Sequence, residues 1–203
     1  MQRAVPVGAG AMAALVGAEF AAAESIAAAA ADAGVCAAAN DNGGGQVVLS
    51  GDKIAVERAI EVAKARGVKR VMLLPVSAPF HCALMRPAAD AMAEALGKIA
   101  VKPPRVPLIA NVLARPVTEP ADVVRALVEQ VTGTVRWRES VLYMAQNGVT
   151  AFYEVGAGRV LSGLIKRIVE GSTAMAIGSP EDVAAFRVAA GSTEQRAPLA
   201  AHG

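Results

Sequence analysis

Two cysteines and two histidines are all that 203 residues offer a soft metal ion or a disulfide. That supply cannot build the cross-linked framework of a small secreted domain, and it argues against a structural zinc site. Neither sign of charge is in surplus: 20 Lys and Arg stand against 18 Asp and Glu, a formal +2, with the signs interspersed. No polybasic footprint results, which removes nucleic acid as an expected partner. The chain is 54% hydrophobic, yet 46 of its residues are alanine. No stretch of about 18 strongly apolar residues passes without a charge. The nearest approach, residues 20–39, is an alanine run interrupted by Glu24 and Asp32. No basic segment followed by a leucine-rich one opens the chain, so no signal peptide is read there. These absences leave a soluble, cytoplasmic α/β protein with no membrane partner as the expectation. The length suits one large domain or two small ones and suffices for a sizeable core.

The first part of the chain alternates short apolar runs with helical periods. Strands are expected over 8–16, 35–39, 46–50 and 68–74, the last stopped by Pro75. Between them, 19–33 reads as an alanine-rich helix ended by Gly34. A second helix follows Asp52, its expected N-cap, with Ile54, Ala55, Ala59, Ile60, Val62 and Ala63 on one apolar face and Gly67 as its stop. The order β-α-β-β-α-β over residues 7–75 is the split βαβ, ferredoxin-like pattern. Beyond it the rhythm changes. Helices are expected over 82–96, with Pro87 in the first turn, and over 121–130, 137–147, 159–170 and 181–189. Strands are expected over 106–111, 150–155 and 173–177. Alternation of this kind implies a parallel sheet covered on both faces, though three short strands make a thin one. The polar, small-residue tail of 190–203 reads as disordered. There are no internal repeats.

The segment Pro75-Val-Ser-Ala-Pro-Phe-His-Cys82 places a histidine in a rigid loop between a strand end and a helix start. Catalytic groups often occupy that position, and an imidazole there can serve as general base near neutral pH. A structural His81 that caps the helix is the alternative. No serine lies in a G-x-S-x-G elbow, and Cys82, next to His81, cannot face it from a helix and reads as a buried small hydrophobe. A base thus stands without a nucleophile. Gly43-Gly44-Gly45 lacks the Lys and Ser/Thr of a phosphate loop and precedes a strand, so a flexible turn is the simpler reading. Gly156-Ala157-Gly158 opens a helix but lacks the third glycine of a dinucleotide site. Asn40, Asp41 and Asn42 either bind a polar ligand or make turns.

Three stretches then carry a resemblance: AVPVGAGAMAALVG from Ala4, NDNGGGQVVLSG from Asn40, and LPVSAPFHCALMRPAADAMAEAL from Leu74. Together with VVRALVEQ, VRWRESV and FYEVGAGRVL further on, in the same order, they resemble malonyl-CoA:acyl-carrier-protein transacylases from Met1 to about residue 189. The resemblance implies transfer of malonyl from coenzyme A to the pantetheine thiol of acyl carrier protein, in fatty-acid biosynthesis. It implies a ping-pong, Ser-His mechanism with no cofactor beyond the two substrates, malonyl-CoA and phosphopantetheinylated carrier protein, and a monomeric full-length enzyme. It also implies the α/β fold class: a ferredoxin-like small subdomain, 7–75, then the C-terminal part of a hydrolase-like large subdomain, 76–189, and the tail. In that frame His81 is the general base and the main-chain carbonyl of Gln130 orients its ring. Asn42 lies close to the acyl pocket, and Phe80 fills the space a branched acyl group would need.

Departures from the family pattern matter as much. Met1-Gln2 resembles an internal position of the family, whose upstream part carries the nucleophile serine, an oxyanion-hole glutamine and the arginine that clamps the malonyl carboxylate. Gly44 and Ala157 stand where proline is usual, and Arg3 where an acid is common. The expectation is a truncated transferase, inactive alone. The alternative is a non-catalytic ferredoxin-like binding or interaction module derived from an acyltransferase.

Overall fold

The computed structural model describes Met1 and residues 4–194, with side chains through Val188. It divides into two compact units, Met1–Gln146 and a second that starts at Asn147. The expected boundary at 75/76 therefore falls inside the first unit.

The first unit is built on a four-stranded antiparallel sheet of order β2-β3-β1-β4. Its strands are β1 (Gly10–Val16), β2 (Cys36–Asp41), β3 (Gln46–Asp52) and β4 (Arg70–Leu73), with α1 (Phe20–Ala28) and α2 (Lys53–Ala65) between them. This is the ferredoxin-like arrangement that the β-α-β-β-α-β order predicts. β1 takes the centre, pairing Leu15 with Val47 on one side and Val71 on the other. Leu15, Ile26, Val47 and Leu49 are buried with Ala23 and Ala27 of α1, Ala59 and Ala63 of α2, and Ala30 just beyond α1, in one core. Alanine lets the helices lie close to the sheet, which is how so alanine-rich a sequence still fills an interior.

Local signals held with some changes. The buried face of α2 is Ala55, Val56, Ala59 and Ala63, while Ile54 is exposed. Ile54 lies one residue round the helix from that face. Asp52 occupies the N-cap position but makes no cap bond. Its Oδ2 accepts instead from the Val35 amide at 2.7 Å, and a side chain at Gly34 would meet that carboxylate.

After β4 the chain runs through the 75–81 loop into a 3₁₀ turn, Ala83–Met85, and then α3 (Arg86–Leu96), with Pro87 in the first turn. Cys82 itself is extended, so the helix begins later than its sequence suggests. α3 packs against α4 (Pro120–Gln130) around Met85, Ala88, Ala89 and Val131. The expected strand over 106–111 is β5 (Leu108–Ala110), but it pairs antiparallel with β6 (Arg115–Val117), not into a parallel sheet. Pro116 hides β6 from a sequence reading, since proline is tolerated only on an edge such as this. α5 (Trp137–Gln146) completes the unit.

In the second unit, β7 (Ala151–Val155) and β8 (Thr173–Ile177) pair in parallel, with α6 (Val160–Ile168) as the crossover and α7 (Pro180–Glu194) after them. α7 continues past residue 189; the rest of the expected tail, 195–203, lies outside the described residues, as does Arg3. Glu154 accepts hydrogen bonds from the amides of Leu161 and Ser162, at 3.0 and 2.7 Å. A carboxylate of the chain thus already occupies the N-terminus of α6, where a dinucleotide phosphate would have to sit. No helix among the described residues is long and apolar enough to cross a membrane.

Candidate active site

His81 is reached through a loop whose path the sequence restricts at several points. Pro79 lies directly over β1: a Cβ at Gly10 would come within 2.3 Å of Pro79 Cγ, so only glycine lets the loop lie so close. The buried Cys82 thiol donates to the Pro79 carbonyl at 3.2 Å, and burial pushes that thiol above its ordinary range. A neutral, enclosed thiol is no nucleophile, as the sequence reading expects. Phe80 is half-buried and packs between two groups of core residues, Met12, Ala39 and Val48 on one side and Ala78, Met85 and Val131 on the other. His81 itself holds a left-handed backbone, φ 60°. Such a conformation in a non-glycine residue persists only where its surroundings hold it, and it is characteristic of functional loops.

The imidazole has one defined partner. His81 Nδ1 lies 2.9 Å from the main-chain oxygen of Gln130. A carbonyl can only accept, so the Nδ1–H donates, which fixes the tautomer and leaves Nε2 with a free lone pair. Gln130 is the last residue of α4, where carbonyls lack intrahelical partners, so its oxygen is available without cost to the helix. The Gln130 side chain holds the same turn: its Nε2 donates to the Gly133 carbonyl at 2.9 Å. Asn111 and Gln130 line a cavity of about 180 Å³ with Leu108, Val123, Ala126 and Leu127.

Five residues beyond Gln130 the chain joins the edge of the ferredoxin-like sheet. Val135 donates to the Ala39 carbonyl at 2.8 Å and accepts from the Asp41 amide at 2.9 Å, and Thr134 Oγ1 donates to the Ala38 carbonyl at 2.8 Å. A short strap, residues 131–136, therefore ties the partner of His81 to β2, the strand that leads into Asn42. Asn42 is half-buried in the β2–β3 hairpin, its amide donating to the Gln46 carbonyl at 3.0 Å. Next to it Asp41 is buried and bonded to Arg138 in the first turn of α5, Oδ2 to Nε at 2.8 Å. His81 and Gln130 thus meet directly, Phe80 precedes His81 in the loop, and Asn42 is linked through the strap.

Sequence reasoning did not find the Asp41–Arg138 pair, which joins positions 97 residues apart. An acid at the inward-facing end of an apolar strand was the signal available. Among the described residues no cluster of three metal-ligating side chains forms. The second unit contains a separate cavity of about 430 Å³, lined by residues that include Arg159, Ser162, Lys166 and Asp182; none of the candidate site residues is among its lining.

The fold and this site belong to an acyl transferase, and the chain to that family: the acyl transferase domain matches residues 1–196. Within the family it is similar to the malonyl CoA-acyl carrier protein transacylase of Escherichia coli K12, 49% identical over 185 residues, 91% of this chain and 60% of that protein. The crystal structure of an acyl-carrier-protein S-malonyltransferase from Bartonella henselae is 52% identical, with a TM-score of 0.88 over 92% of this chain and 60% of that one. A type II PKS acyl-carrier protein in complex with its malonyl-transacylase matches at 39% identity and a TM-score of 0.87, covering 92% of this chain and 61% of that one. The chain spans about 60% of the length of the curated relatives it matches.

Proposed function

We propose that this span supplies the general base and part of the acyl-binding surface of a malonyl-CoA:acyl-carrier-protein malonyltransferase, acting in the cytoplasm in fatty-acid biosynthesis. The observation that carries the reading is the His81 Nδ1–H···O=C Gln130 bond, which leaves Nε2 as the proton acceptor. A carbonyl here does the work of a triad carboxylate, holding ring and tautomer. Residues 7–75 form the small subdomain and 76–189 the C-terminal part of the large one.

In the first half-reaction His81 Nε2 takes the proton of a serine hydroxyl as its oxygen attacks the malonyl thioester, and returns the proton to the departing coenzyme A sulfur. In the second it takes the proton of the carrier-protein pantetheine thiol, whose sulfur attacks the malonyl-serine ester, and returns it to the serine oxygen. The chemistry needs no cofactor beyond malonyl-CoA and the phosphopantetheinylated carrier protein. Asn42 borders the acyl group, and Phe80 excludes a branched one. The nucleophile serine and the carboxylate-binding arginine are not assigned to any of the 203 residues, so the chain by itself transfers nothing. Incubation of the purified 203-residue chain with radiolabelled malonyl-CoA should leave it unlabelled. A stoichiometric, acid-stable ester on this chain would overturn that statement, and failure of the whole protein that carries the span to transfer malonyl would overturn the function.

A further inference from the structure

Asp41 is 3% exposed, and both of its carboxylate oxygens are committed. Oδ2 accepts from Arg138 Nε at 2.8 Å, and Oδ1 accepts from the Gly43 amide at 3.2 Å. Gly43 begins a run of three glycines, all left-handed, with φ of 75°, 59° and 72°. No side chain in that run can pack to fix its shape, and glycine has the largest backbone freedom to lose. Its conformation therefore depends on bonds to its backbone: Gln46 amide to Gly43 carbonyl, the amides of Gly17 and Ala18 to the Gly45 carbonyl, and the Asp41 carboxylate. Asp41 is the side-chain anchor of the loop, and Arg138 is the opposite charge paired with that buried carboxylate.

From this geometry we infer that Asp41 and Arg138 are a positioning pair. They hold the Asn42–Gly45 loop against α5, and through it set the affinity for the acyl substrate without taking part in proton transfer. The role of Asn42 rests on the function proposed above. Gln130 precedes the strap and Arg138 follows it, so one continuous segment, 130–138, carries the oriented carbonyl at one end and the loop anchor at the other. A salt bridge that only stabilised the fold would change the folded fraction and leave substrate affinity alone.

Two measurements test this on Arg138→Met, Arg138→Lys and Asp41→Asn. The first is amide hydrogen exchange of the loop, in the 203-residue chain. Loss of a hydrogen bond to a charged group should speed exchange at Gly43 by about tenfold or more in Arg138→Met, with core amides of β1 unchanged. The second is steady-state transfer by the whole protein. Arg138→Met should raise the malonyl-CoA KM about tenfold and change kcat less than about threefold, with Arg138→Lys recovering part of the KM. Asp41→Asn, which keeps an acceptor for Gly43 but loses the charge, should fall between wild type and Arg138→Met in both. Unchanged loop exchange overturns the pair's hold on the loop; an effect on kcat alone, or on folded fraction alone, overturns its role in affinity. If the wild-type whole protein transfers no malonyl, the functional reading fails, and the exchange contrast still decides whether the pair holds the loop.

Discussion

Replacing Gly10 by alanine tests how the fold aims its base. The added Cβ would sit 2.3, 2.5 and 2.8 Å from Pro79 Cγ, Cδ and Cβ, where carbon atoms normally rest about 3.5–4.0 Å apart. Relief requires a movement of about 1 Å or more, and the two sides differ in freedom to make it. Gly10 lies in the central strand, paired with Asp52 across β1–β3, whereas Pro79 belongs to a loop. The loop moves, and with it Phe80 and His81, two residues further on. Nδ1 and the Gln130 oxygen are 2.9 Å apart, so a displacement of that size breaks the bond that sets the ring. Overpacking of this kind costs about 1–3 kcal/mol of stability, readable as a lower urea midpoint. Transfer by the whole protein should fall by about a hundredfold, the usual cost of misplacing a catalytic group by 1 Å. The His81 Nδ1–H proton resonance should shift upfield or exchange away. Wild-type transfer and an unchanged resonance in Gly10→Ala would refute the link from β1 through Pro79 to the base.

Two further predictions concern the ferredoxin-like sheet. Leu15→Ala removes a fully buried side chain from a core whose neighbours are largely alanine, with little reach to fill the gap; the loss should be about 3–5 kcal/mol, and a loss under about 1 kcal/mol in urea titration would contradict the packing described. Burial, with the nearby Cys82 thiol second, pushes the Cys36 thiol from 9.0 up to about 11, so alkylation of the native chain at pH 8 should run about a hundredfold slower than in urea. The neutral thiol is the form that the fold favours. Its stabilising effect is therefore complete below pH 9 and lost as pH climbs towards 11, and equal alkylation rates in native and unfolded protein would exclude it.

The ferredoxin-like half was legible because its signals agree with one another. Short apolar runs mark β1 and β3, a helical period marks α2, and Gly34, Gly67 and Pro75 punctuate them. β2 runs two residues further than expected because Asn40 and Asp41 look like turn residues; they pair with Val48 and Val47 of β3 across the hairpin, and Val135 adds a bridge on the other side. β6 was missed for its proline. The single parallel sheet expected downstream is instead one hairpin and one parallel pair, since alternation of strand and helix says nothing about which strands meet. At the site, His81 stood out by type and position. Its partner could come only from the family resemblance, because a main-chain carbonyl leaves no mark on the residue that bears it. For the Asp41–Arg138 pair the buried acid at the end of β2 was the one signal in the sequence, and nothing in it marked Arg138 as the partner.

His81, held by the Gln130 carbonyl, is the group proposed to move the proton in both half-reactions. Rapid-quench measurement of serine acylation by malonyl-CoA, and of deacylation by carrier protein, in the whole protein with His81→Ala tests it most directly. Both rates should fall about a hundredfold or more, with malonyl-CoA binding little changed. Acylation at the wild-type rate would show that His81 is structural and that the base lies elsewhere.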